Sequence, residues 1–365
     1  MRILVFASSY GNIIGGGPVL APLLTAALVQ RGHEIVVITD RSPMTLLEEE
    51  LIDNVRILRM PFRRALSGDF ALIAALRRQM EQLKRSLQPD LIYIFSSGRG
   101  EILHHLTKTV HPVPMVVTLH DLFPAQRYAP EAVVGRNLRS AAWVAGCSEA
   151  TTRWAVGHLP EIAGRASTIL NALPTPPARG IRVDRKRLLF PGRLVAKKGA
   201  DLALRAFAEL LARHPDLGMD IAGDGPEANA LQTLARELGI ADKTVFHGGV
   251  SRCDLFDLMA GAHVVLVPSR DEPFGLVALE AAHMARPVVA AAVGGLPEVV
   301  RHGRTGMLVP VDDAGALAAA AKTLIDDPGY ADRLGAEAVE FARRDFKWSR
   351  FVDSYETLFL RISQL

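Results

Sequence analysis

Short runs of apolar and β-branched residues recur along the chain, with room for a helix between most of them. In the first half they fall at residues 3–7, 35–39, 91–95, 115–119 and 142–147. In the second half they fall at 188–191, 219–222, 245–247, 264–267 and 288–291. Runs that are apolar throughout, rather than alternating, predict strands covered on both faces, as in parallel sheets. Residues 19–31 and 70–87 carry a helical period, and 348–362 is amphipathic. Strand alternating with helix predicts an α/β chain with doubly wound sheets. Pro174-Thr175-Pro176-Pro177-Ala178-Arg179-Gly180 is too rich in proline and glycine to continue either element. The chain reads as an N-terminal Rossmann-like domain over 1–173, a linker over 174–186, a C-terminal Rossmann-like domain over 187–345, and a final helix within 346–365. The ligand-binding ends of both sets of strands are expected to open onto a central cleft.

Composition agrees with two domains. A chain of 365 residues is ordinary for two, and 49% hydrophobic residues can fill two cores. Cys147 and Cys253 lie in opposite halves, with the spacing of neither a disulfide framework nor a metal site. The first seven residues are too short for a signal segment, and no run has the length of a membrane span. These features predict a cytoplasmic protein, at most peripheral on the inner face of a membrane. A net charge of +3 is too small to suggest nucleic acid as a partner.

The most telling stretch is Glu272-Pro273-Phe274-Gly275-Leu276-Val277-Ala278-Leu279-Glu280. Pro273 suits a first helical position, where its missing N–H has no intrahelical partner. Gly275 lets a ligand approach the backbone. The apolar residues from Leu276 onward predict a helix largely covered by protein, inside which Glu280 needs a partner. Glu272, just ahead, lies near an N-terminus that favours anions. From spacing alone two readings stand. One is a sugar-nucleotide site, with the diphosphate on the N–H groups of Phe274, Gly275 and Leu276, the ribose on Glu280 and the sugar on Glu272. The other is a helix whose two glutamates only cap and form salt bridges. Arg193 and Lys198 tip the balance, because they follow a strand at 188–191, at the end where open parallel sheets bind ligands.

These motifs resemble those of the family 4 retaining glycosyltransferases of GT-B fold. The resemblance rests on Gly192-Arg193-Leu194 with Lys198-Gly199, Gly223-Asp224-Gly225-Pro226, Phe246-His247-Gly248-Gly249-Val250, Val264-Val265-Leu266-Val267-Pro268-Ser269, and the two glutamates eight apart. Gly294-Gly295-Leu296-Pro297-Glu298-Val299-Val300 and Gly303-Arg304-Thr305-Gly306-Met307-Leu308-Val309 follow in family order. In the N-terminal half it rests on Gly15-Gly16-Gly17, Arg31-Gly32-His33-Glu34 and Thr118-Leu119-His120-Asp121.

The resemblance implies a GT-B architecture of two Rossmann-like domains facing a central cleft, with the last helix crossing back onto the N-terminal domain. It implies transfer of a hexosyl unit from a nucleoside-diphosphate sugar to a sugar or lipid-linked hydroxyl, with retention and with neither metal nor cofactor. His120 and Glu272 are implied as catalytic. Gly16, Gly17, Arg193, Lys198, Val250, Phe274, Gly275, Leu276 and Glu280 are implied to bind substrate. Asp121 is placed to orient His120. No Asp-x-Asp of the metal-dependent type stands at a strand end.

One departure is Ala285, where the family has glycine after the helix; a non-glycine residue there costs about 1 kcal/mol or changes the shape. The acceptor stays open. Arg56, Arg59, Arg63, Arg64, Arg77, Arg78, Lys84 and Arg85 face only Asp69 and Glu81 over residues 56–85. The stripe Ile73, Leu76, Met80, Leu83 and Leu87 fits either a membrane-surface helix or a core-packing one. The first would favour envelope polysaccharide or glycolipid synthesis. An alternative function in another class is a non-transferring sugar-nucleotide enzyme of the same fold, such as a 2-epimerase.

Overall fold

The structure, a computed structural model, describes residues 1–11, 16–95, 100–177, 180 and 183–365, with 16–18 in backbone only. It contains two α/β units, each built on one sheet. The first holds strands β1 (Arg2–Phe6), β2 (Glu34–Asp40), β3 (Glu49–Ile52), β4 (Val55–Met60), β5 (Leu91–Ile94), β6 (Met115–Leu119), β7 (Trp143–Gly146) and β8 (Ala166–Thr168). The second holds β9 (Arg187–Pro191), β10 (Gly218–Ala222), β11 (Thr244–Gly248), β12 (Val264–Val267), β13 (Val288–Ala291) and β14 (Gly306–Val309). By contacts, the first unit is built on β1, Gly17–Ile169 and Ser349–Leu365, and the second on Leu170–Trp348.

The first sheet runs β3-β4-β2-β1-β5-β6-β7-β8, parallel except for the β3–β4 pair. The second runs β11-β10-β9-β12-β13-β14, parallel throughout. Val264–Val267 and Val288–Ala291 are buried at every position, as their unbroken apolar runs require.

The β3–β4 hairpin was not legible as a pair of strands. Arg56 and Arg59 interrupt the apolar run of β4, and β3 is an edge strand rich in glutamate. The structure pairs Arg59, 3% exposed, with Glu50 across the hairpin, so the charge belongs to the sheet and not to a basic surface. Asp53 and Asn54 turn the chain with φ of 50° and 62°, as a two-residue hairpin turn demands.

The helix Phe70–Leu87 resolves the second ambiguity. Leu76, Met80, Leu83 and Leu87 are buried in the core of the first unit, and Ile73 packs against it. The stripe is committed to protein, so it does not support the membrane-surface reading. Lys84, read from the sequence as a flanking cation, is also buried. No helix among the described residues is long and apolar enough to cross a membrane.

The C-terminal helix Trp348–Ile362 packs on the first sheet. Tyr355 and Phe359 are fully buried, with rings 5.7 and 4.7 Å from Tyr93 of β5. Thr118 of β6 lies 3.1 Å from the Tyr355 hydroxyl and 3.0 Å from that of Tyr93. Arg31 and His33, the residues before β2, bind Glu356 at 2.5 and 2.8 Å. The Arg-Gly-His-Glu motif of the sequence thus anchors a helix more than three hundred residues away.

Candidate active site

In the second sheet β9 has β10 on one side and β12 on the other, so the chain reverses its order there and leaves a crevice beyond the strand ends. The loops after β9 and β12 carry Arg193, Lys198, Glu272, Phe274 and Gly275. Gly199 sits where they meet. Its φ is 71°, and a side chain would come within 2.1 Å of the Pro268 carbonyl oxygen, so only glycine lets the loops touch. Arg270 fastens them: its guanidinium donates to the Ala196 carbonyl at 2.7 Å and to both Asp201 carboxylate oxygens at 2.8 and 2.7 Å. The sequence reading missed Arg270, because an arginine next to an aspartate gives no sign of which distant carboxylate it will meet.

Within this frame Lys198 donates to Glu272 at 2.6 Å, and Ser269 donates to the same oxygen at 3.3 Å. Glu272 is 9% exposed, so the ammonium is the counter-charge that permits its burial. Sequence reasoning treated these two residues separately; the structure brings them into direct contact. Arg193 is exposed in the same loop and has no ion-pair partner among the described residues. Its fork is open to a ligand.

The helix after β12 begins later than its sequence suggested. It spans Leu276–His283, so Pro273 lies ahead of it and not at its first position, and Glu280 is about one turn inside it. Gly275 is the reason. Its φ of 105° breaks the helical path, and a Cβ there would approach Leu296 to 2.8 Å. The cap has no side chain to satisfy the first N–H groups. Phe274 is 2% exposed with its ring 5.7 Å from Phe346, so it offers a ligand only its backbone. Leu276 is half-buried.

Glu280 is 8% exposed, and the Arg252 guanidinium lies 3.4 Å from its carboxylate. Burial pushes its pKa up to about 7, and Arg252 works against that rise. Arg252 is a second residue the sequence did not flag. Its helix, Arg252–Gly261, is capped by Ser251, whose hydroxyl accepts from the Asp254 N–H at 3.2 Å. Val250, just before that cap, borders a cavity of 630 Å³ shared with Arg187, Asp220 and His247. There Asp220 accepts from Arg187 and lies 2.7 Å from His247 Nε2.

In the first unit, His120 is the residue after β6, its ring 4.4 Å from that of Phe95. Its Nε2 is buried with no hydrogen-bond partner, and burial lowers its pKa to about 4, leaving a neutral imidazole near neutral pH. Asp121 is exposed. Gly16 and Gly17 open the helix Gly16–Gln30, while Gly15 lies outside the described residues.

The chain is similar to known proteins in sequence and fold. The family model described as "Glycosyl transferases group 1" matches residues 175–341, and that described as "Glycosyltransferase Family 4" matches 14–175. The chain is 30% identical to a glycogen synthase of Mycobacterium tuberculosis, over 99% of its own length and 94% of the relative's. Sucrose-phosphate synthase from Thermosynechococcus elongatus has the same fold, with a TM-score of 0.85, 22% identity, and coverage of 99% and 98% of the two chains. So does Anabaena Alr3699/HepE, solved in complex with UDP-glucose, with a TM-score of 0.80, 22% identity, and coverage of 98% and 99%.

Proposed function

The chain belongs to the group 1, family 4 glycosyltransferases of GT-B fold, and from that premise we propose that it moves a hexosyl unit from a nucleoside-diphosphate sugar to a saccharide hydroxyl with retention at the anomeric carbon. The observation that carries the reading is the grouping at the crevice beyond β9 and β12. An open guanidinium (Arg193), an ammonium shared with a carboxylate (Lys198 with Glu272) and an uncapped helix start at Gly275 stand on adjoining loops. That set suits a diphosphate bearing a sugar. Glu280 accepts from the ribose hydroxyls, and Val250 borders the base.

Bond breaking builds charge on the leaving diphosphate. Arg193, Lys198 and the N–H groups at the helix start are fixed donors for that charge, and each such donor is typically worth ~2.7–4 kcal/mol when removed. With Lys198 drawn to the diphosphate, Glu272 is released to accept from sugar hydroxyls. The departing diphosphate takes the acceptor proton on the same face, so neither a protein base nor a divalent ion is required. His120 contributes its unpartnered nitrogen to the hydroxymethyl side of the sugar.

A panel of sugar nucleotides that includes UDP-glucose tests the proposal. One donor is expected to raise the melting temperature and to be slowly hydrolysed, and with a saccharide acceptor added to give an α-linked product by NMR at a rate unchanged by a chelator. Arg193→Ala lowers turnover by about two to three orders of magnitude with the fold intact. An inverted product, or near-wild-type turnover in that variant, would overturn the assignment.

A further inference from the structure

A cavity of 460 Å³ in the first unit takes no part in the chemistry above. It lies where β5 and β6 begin, beside Ile92 and Met115, whereas His120 follows the far end of β6. The length of a strand, about 13 Å at 3.3 Å per residue, separates the two. Lys84, His104, His105, Lys108, His111 and Arg136 line it, and no lining residue is acidic.

Lys84 is the anomaly. It is 1% exposed, in the last turn of the helix Phe70–Leu87. Its ammonium donates to the Thr107 carbonyl at 2.9 Å and lies 3.5 Å from His104 Nδ1, both neutral acceptors. No carboxylate pairs with it among the described residues. A buried ammonium without a counter-charge is costly, and at this position an apolar residue would extend the buried stripe of the same helix. The Thr107 carbonyl closes the helix Glu101–Leu106, so the ammonium also caps that helix, but a carbonyl supplies no full counter-charge.

The surroundings repeat the pattern. His105 Nε2 is buried without a partner. His111, at a φ of 51°, anchors its Nε2 on the Pro89 carbonyl at 2.9 Å. Lys108 and Arg136 are exposed at the mouth. Burial lowers Lys84 to about 8, and burial together with the nearby Lys84 lowers His104 to about 3, so near neutral pH the ammonium stands beside a neutral imidazole.

We propose that this cavity binds the phosphate group of a small phosphomonoester, with Lys84 as its buried counter-charge and with Lys108 and Arg136 closing on it from the rim. A compact ammonium meets a phosphate oxygen as a point charge, and arginine meets it through its planar fork. The volume exceeds what a free phosphate fills and is within the range of small-molecule sites. The ligand would bind at the end of the sheet opposite His120, and so act as an effector or as a second anchoring point, not as the glycosyl donor.

Isothermal titration of the full chain with inorganic phosphate and with glycerol phosphate tests this, at constant ionic strength. Wild type is expected to bind both, the ester more tightly. Lys84→Met is expected to weaken both at least about tenfold, since a charge-assisted hydrogen bond is lost. In phosphate-free buffer it should melt no lower than wild type, because an unpaired charge has been removed. Should Lys84→Met fail to fold, the exposed double variant Lys108→Ala/Arg136→Ala is expected to weaken binding as well. Arg193→Ala alters only phosphate binding at the donor site, so the binding that survives in it and disappears in Lys84→Met belongs to the cavity, and failure here is separable from failure of the glycosyltransferase reading. Absence of binding in wild type, wild-type affinity in the cavity variants, or complete loss of binding in Arg193→Ala would overturn the proposal.

Discussion

Glu280 combines its proposed binding role with a cost in stability. Its carboxyl titrates near 4.5 when exposed and about 7 in the folded chain, because burial disfavours the charge more than Arg252 restores it. The folded-state pKa is raised, so this contribution to stability is intact below about 4.5 and is lost as pH climbs through 7. A shift of that size corresponds to about 3 kcal/mol. Glu280→Gln is therefore expected to unfold in urea like wild type at pH 4.5 but to be the more stable protein at pH 8. The same substitution should weaken nucleoside diphosphate binding, since ribose hydroxyls prefer a charged acceptor. Equal pH dependence in the two proteins would mean that Arg252 fully compensates the burial. The partnership of Lys198 with Glu272 follows the same logic from the other side: there the counter-charge is in place before any ligand arrives.

The helix Leu276–His283 ends with Ala285 at a φ of 55°. The Ala285 N–H donates to Ala282 at 3.0 Å and the Arg286 N–H to Ala281 at 2.9 Å, the pair of bonds that closes a helix through a left-handed residue. Of the two outcomes the sequence allowed, strain or altered shape, the structure adopts strain. Ala285→Gly should therefore raise stability by about 1 kcal/mol, measured as a shift in the denaturation midpoint, with donor affinity unchanged. A destabilised variant would show that the alanine methyl is making contacts worth more than the strain. At the other helix end, Gly275 shows why Pro273 misled: proline favours a first turn, but it also suits the loop before one.

Across the whole molecule the candidate residues divide between two units. Arg193, Lys198, Glu272 and Glu280 lie in the second and His120 in the first. His120→Ala is expected to leave nucleoside diphosphate affinity by calorimetry nearly intact while cutting the initial transfer rate strongly. Parallel loss of both would place His120 in diphosphate binding instead. Since His120 is already neutral above about pH 4, its titration should be absent from the rate profile between pH 6 and 8. The sequence by itself determined much of this molecule. Unbroken apolar runs specified strands covered on both faces; 264–267 and 288–291 agree to the residue, as does the helix at 70–87. Glycine-containing loops after β9 and β12 marked the candidate site, because backbone approach and turn geometry are local properties of the chain. Tertiary structure decided the rest. Which face of 70–87 is buried, which carboxylate meets Arg270, that Arg252 reaches Glu280, and that Lys84 is enclosed without a counter-ion all depend on residues far apart in sequence. Periodicity shows that a side chain has an apolar or a charged neighbourhood to find, and only packing fixes which partner supplies it.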